Sequence, residues 1–140
     1  MSKYYTPEIE EFHIGFEFDL KRNEEQNWGL RHKYGYTSPR LEKILGYIHE
    51  GGVRVKHLDQ EDIESFGIGD WTDSRGYWRG FKTKNDNQYY VFHHNVDRIQ
   101  SWCVVEIVDV DTEKRRVLFT GTIKNKSEMK KILDMIGWLH

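Results

Sequence analysis

From Phe12 to Leu20 the apolar residues Phe12, Ile14, Phe16, Phe18 and Leu20 alternate with His13, Gly15, Glu17 and Asp19. A two-residue period sends alternate side chains to opposite faces of an extended chain, so this run predicts a half-buried strand and the start of a sheet. Ahead of it, Thr6 and Pro7 predict a capped helical turn. Further strands are expected around 30–36 and over 53–58. A four-strand meander over 77–82, 88–94, 101–109 and 115–124 follows, its turns set by Asn85-Asp86-Asn87 and Asp111-Thr112-Glu113. Between strands, Leu41, Ile44, Leu45 and Ile48 recur at helical spacing after Ser38-Pro39, and Gly51-Gly52 ends that helix. Asp59 caps one turn carrying Ile63 and Phe66, closed by Gly67. Ser127 is the expected cap of a last helix with Met129, Ile132, Leu133 and Ile136 on one stripe. Residues 67–80, rich in glycine and large aromatics, predict a loop. The expected fold is α+β: one antiparallel sheet of about five or six strands, packed by a central helix over 38–50 and a C-terminal helix from Ser127, in a single domain spanning 1–140.

Composition narrows the function classes. At 140 residues the chain has the length of one ordinary domain. Its 21 Lys and Arg stand against 23 Asp and Glu, a formal charge of -2, so the whole-molecule field does not draw in nucleic acid or an anionic membrane. Such binding requires a local patch. The single cysteine, Cys103, excludes an internal disulfide framework and fits a reducing compartment. No apolar run approaches the roughly 20 residues of a membrane span, and Met1-Ser2-Lys3-Tyr4 opens no signal-peptide pattern. The expectation is a cytoplasmic protein with no membrane partner.

Catalytic motifs fail on spacing. His49-Glu50 runs into Gly51-Gly52, which breaks the helix a His-Glu-x-x-His zinc site needs. His93-His94 lacks the downstream helix of a histidine-metal nuclease. Asp109-Val110-Asp111-Thr112-Glu113 alternates like a calcium loop, but Lys114 replaces the turn glycine and Thr120 the bidentate Glu. Gly67-x-Gly69 follows a helical turn instead of a strand, so it is no dinucleotide fingerprint. Cys103 sits in an apolar strand and reads as core. Pro7-Glu8 followed by Asp19-Leu20-Lys21 is the least poor echo of a metal-dependent nuclease, with Asp19 and Lys21 sharing one strand face with Glu17. No catalytic residue, metal ligand or cofactor is assigned.

The best binding candidates are Trp71, Arg75, Tyr77, Trp78, Arg79, Lys82 and Lys84, where aromatic faces interleave with cations. Bases stack on rings and phosphates pair with Arg, so a nucleotide or single-stranded nucleic acid suits such a segment. The same residue types dominate protein hot spots, and they also serve as ordinary core aromatics with outward-snorkelling cations.

The opening Tyr4-Tyr5-Thr6-Pro7-Glu8-Ile9-Glu10-Glu11-Phe12 and the closing Ile123-Lys124-Asn125-Lys126-Ser127-Glu128 resemble a set of small proteins of unassigned function from Bacteroidota-type bacteria and their phages. That resemblance carries over no catalytic residue and implies an accessory role. The resulting expectation is a non-enzymatic binding protein docking on a host or phage protein. The alternatives are a small-ligand binder sequestering a nucleotide or nucleotide-like signal, and a metal-dependent nuclease. A second copy of the chain is a further partner, since an exposed edge strand or a surplus aromatic patch accepts one.

Overall fold

In the computed structural model the chain is described apart from residues 1–2, 22–27, 30, 37, 75–76, 96–101 and 139–140, and at 70–74 and 77 only the backbone is described. The opening alternation does not run straight. Phe16 N–H donates to His13 O at 2.9 Å and Gly15 N–H to Tyr34 O at 2.7 Å, with Gly15 at φ 93. This turn leaves Ile14 63% exposed, while Phe12, Phe16, Phe18 and Leu20 are buried. The expected nine-residue strand is therefore β2, Glu17–Leu20. A left-handed glycine in mid-run breaks the extended path.

The chain divides into two compact units, Met1–His57 and Leu58–His140. The expectation of a single sheet is corrected, because each unit has its own antiparallel sheet. In the first unit the strands are β1 (Tyr4–Tyr5), β2, β3 (Arg31–Lys33) and β4 (Val53–Lys56), in the order β1-β4-β2-β3. The turn expected at Thr6-Pro7 starts later, as a 3-10 turn over Ile9–Glu11 in which Glu8 N–H donates to Glu11 Oε2 at 2.7 Å. Helix α1, Leu41–His49, buries Ile44, and Tyr47 and Ile48 pack on the core of Phe12, Phe16, Phe18, Leu20, Val53 and Val55. Leu41 and Leu45 of its predicted stripe stay exposed. After α1 the backbone presses close: a Cβ at Gly52 would lie 2.4 Å from Lys21 O, and Lys21 N–H donates to Gly52 O at 2.7 Å. Only glycine fits that approach.

In the second unit α2 (Gln60–Glu64) precedes β5 (Gly69–Ser74), β6 (Tyr77–Asn85), β7 (Gln88–Asn95), β8 (Trp102–Asp109) and β9 (Arg115–Thr122), which form one meander in chain order, and α3 (Lys126–Met135) follows. The loop expected over 67–80 is instead β5 and the start of β6. Its register shifts between Gly69 and Thr72, an irregularity that a sheet edge tolerates. Asp59 caps α2 as predicted, accepting from Asp62 N–H at 2.9 Å. α3 is capped by Asn125 and not by Ser127: Asn125 has the extended backbone of a cap and accepts from Glu128 N–H at 2.8 Å, while Ser127 lies buried in the first turn. Leu58, Ile63, Tyr90, Phe92, Cys103, Val105, Ile123, Met129, Leu133 and Trp138 build this core. Trp138 is fixed by Nε1–H donating to Phe66 O at 3.1 Å and by ring contact with Tyr90 at 4.6 Å. Among the described residues no helix is long and apolar enough to cross a membrane.

Candidate functional site

Pairing in the first sheet sets Asp19 of β2 opposite Arg31 of β3 on one side and Arg54 of β4 on the other. Alternation sends Phe18, Leu20, Val53 and Val55 into the core, so Glu17, Asp19, Arg31, Lys33, Arg54 and Lys56 share the other face. Tyr4 joins them from β1, opposite Lys56. One row across the sheet reads Arg31, Asp19, Arg54. Two residues along, Glu17 pairs with Lys33, and the same register carried on sets Glu17 level with Lys56.

The first row is a built site. Asp19 is 5% exposed; its Oδ1 accepts from Arg31 Nε at 3.2 Å and its Oδ2 from Arg54 Nε at 3.0 Å. The Arg54 guanidinium also lies over the Tyr4 ring at 3.7 Å and the Trp28 ring at 4.4 Å. Two cation–π contacts and a carboxylate at Nε hold this fork in place. Among the described residues the Nη atoms of both arginines carry no hydrogen bond. The Arg31 and Arg54 side chains are 40% and 27% exposed, so both reach solvent in part. One carboxylate between two guanidiniums leaves a positive excess, and the face as a whole carries four cations against two carboxylates. Such paired forks suit a phosphate or carboxylate. They oppose a divalent cation at Asp19, because both of its oxygens already face positive charge. Among the described residues no cluster of His, Cys, Asp and Glu fits a metal ion.

The segment singled out in sequence is divided by its strand. Trp78 turns inward onto the second core, edge-on to His94 at 5.3 Å. Lys82 also turns inward, lying over the Trp138 ring at 5.0 Å and donating to Trp138 O at 3.3 Å; Lys84 lies 5.8 Å from the Tyr90 ring. Arg79 is on the opposite face, over Phe81 at 5.2 Å, beside an open hollow of ≈ 480 Å³ lined by Phe81, Thr83 and Tyr89 among others. Arg75 lies outside the described residues, as do the side chains of Trp71 and Tyr77.

His93 and His94 also part company. His93 is outward, its Nε2 2.6 Å from Glu106 Oε1, with Arg115 Nη1 at 3.7 Å from the same oxygen. His94 is inward and fully buried, and among the described residues neither ring nitrogen has a hydrogen-bond partner. Burial pulls its pKa down to about 4, against the opposing pull of Asp59. Cys103 stands directly across from His94, and burial pushes its thiol well above the usual range. Neutral thiol facing neutral imidazole is the reverse of the ion pair that activates a cysteine nucleophile, so this pair is core.

The chain matches no family model, no curated protein and no solved structure. Sequence reading missed Tyr4, Trp28, Arg31 and Arg54. The available signal was charge complementarity between short strands: Glu17 and Asp19 alternate at the same period as Arg31 and Lys33 and as Arg54 and Lys56.

Proposed function

We propose that this chain is a non-enzymatic binding protein that takes an anionic group of its partner between Arg31 and Arg54. The observation that carries this reading is the pair of guanidiniums anchored through Nε to one buried carboxylate, on side chains that stay partly exposed. Pre-ordering of the two forks lowers the entropic cost of closing them on an anion. Inorganic pyrophosphate, titrated at low ionic strength while the arginine Nε–H resonances are followed, is expected to shift Arg31 and Arg54 saturably. Arg31→Gln abolishes that response. Unmoved arginine resonances would refute the reading.

A host or phage protein is the partner favoured by the second unit. On β9, at the edge of the five-stranded sheet, Val117 is 55% exposed, and Trp102 of β8 is 38% exposed. Exposed apolar side chains beside an edge strand suit docking by strand addition. The resemblance to small bacterial and phage proteins supports an accessory role inside a bacterial cell.

A further inference from the structure

We infer that the anion held by Arg31 and Arg54 is a phosphodiester of single-stranded nucleic acid, whose bases stack beside Trp28 and Tyr4. This rests on the anion-binding reading above and names its ligand.

Three features select that class. First, the cations repeat. Arg31 and Arg54 flank Asp19 in one row, and Lys33 and Lys56 flank Glu17 in the next. Rows two residues apart are about 7 Å apart along the strands, and cations on either side of β2 are about 10 Å apart. A lone anion occupies one row, whereas a strand of repeating phosphates serves both. Second, the rings of Tyr4 and Trp28 adjoin the cation nearest the phosphate site, at 3.7 and 4.4 Å from the Arg54 guanidinium. Nucleobases offer π faces to such rings, and an acidic peptide offers none of necessity. Third, the face is a small antiparallel sheet with short strands. Unpaired bases are open to stacking on such a sheet surface.

The face carries cations, rings and two carboxylates that already lie between cations, with no amide side chain from the strands to read a base edge, so recognition is tolerant of sequence. Two to four phosphate contacts give a log–log salt slope of about -1.4 to -2.8. The net charge of -2 does not prevent this, because within a Debye length of about 10 Å the face's own cations set the field.

Fluorescence anisotropy tests the inference, using a labelled oligothymidylate of about 12 nucleotides, a duplex of equal length, and polyglutamate. The expected result is binding of the single strand at least tenfold tighter than of the other two. Trp28→Ala weakens it at least fivefold, and Lys33→Gln lowers the salt slope by about 0.7. Lys33→Gln lies outside the Asp19 pairing, and Trp28→Ala removes a ring from Arg54 while leaving both Asp19 hydrogen bonds, so circular dichroism is expected to match the parent. Equal binding of polyglutamate, equal binding of duplex, or an indifferent Trp28→Ala would overturn the inference. A response to pyrophosphate without oligonucleotide binding removes the nucleic-acid assignment and keeps the anion site; loss of both removes the anion site too.

Discussion

Asp19 in the first sheet and His94 in the second are both withdrawn from solvent, at 5% and 0% exposure, yet the two sheets handle them in opposite ways. Asp19 meets two guanidiniums where it has lost water. His94 has no such replacement, and burial favours its neutral form. An ionisable group left buried must either be paired or discharge. The first solution builds an outward positive face, and the second builds only core.

Removing the carboxylate should have the largest effect. Asp19→Ala leaves two arginines facing each other across β2 and is expected to cost about 3 to 4 kcal/mol in urea denaturation, towards the lower end of the range for breaking a buried pair because both arginines reach water. A cost below about 1 kcal/mol would place Asp19 among surface ion pairs and erase the contrast with His94.

Acid should separate the two sites next. His94 has its ordinary pKa of 6.5 in the unfolded chain and about 4 in the folded one. Above 6.5 both states are neutral and full stability is present. As pH falls, the unfolded chain binds the proton first, so stability declines through the window from 6.5 to 4. The loss attributable to His94 is about 3 kcal/mol. His94→Leu is expected to flatten that part of the stability–pH curve and, by deleting two unsatisfied nitrogens, to stabilise the protein at pH 7. An unchanged acid slope in the variant would show that His94 is solvated in the native state.

Asp59 offers the smallest and sharpest test. It caps α2 and is also the charge that pulls His94 upward. Asp59→Ala should cost about 1 kcal/mol for the cap and lower the His94 pKa further when the ring is followed by NMR. A rise would mean that the Asp59 charge does not favour the protonated ring.

Much of the second unit was legible in the sequence because its strands and α3 are carried by long, locally periodic runs. β7 and β8 are eight residues each and carry the apolar runs Tyr89-Tyr90-Val91-Phe92 and Trp102-Cys103-Val104-Val105, and the Asp59 cap announces α2. The first unit was less legible. Its sheet is assembled from strands of two to four residues, too short for periodicity to register, and its opening run is bent by one glycine. β5 was read as loop because glycine-rich composition hides an edge strand. The arginine site draws on positions 4, 19, 28, 31 and 54, so it exists only through register. The Trp71 to Lys84 segment misled for the converse reason: its cations and rings are contiguous in sequence, and alternation then divides the described ones between two faces.

β9 carries a last consequence for how the protein behaves in concentrated solution. Val117, Leu118, Phe119, Thr120, Gly121 and Thr122 form a β-prone run at the margin of the sheet, a natural template for fibrous growth. Lys114, Arg115 and Arg116 stand at its head as gatekeepers, and the register slip between Val105 and Glu106 spoils the flat ladder that a growing fibril needs. Substitutions that neutralise those cations or straighten that slip trade colloidal safety for regularity.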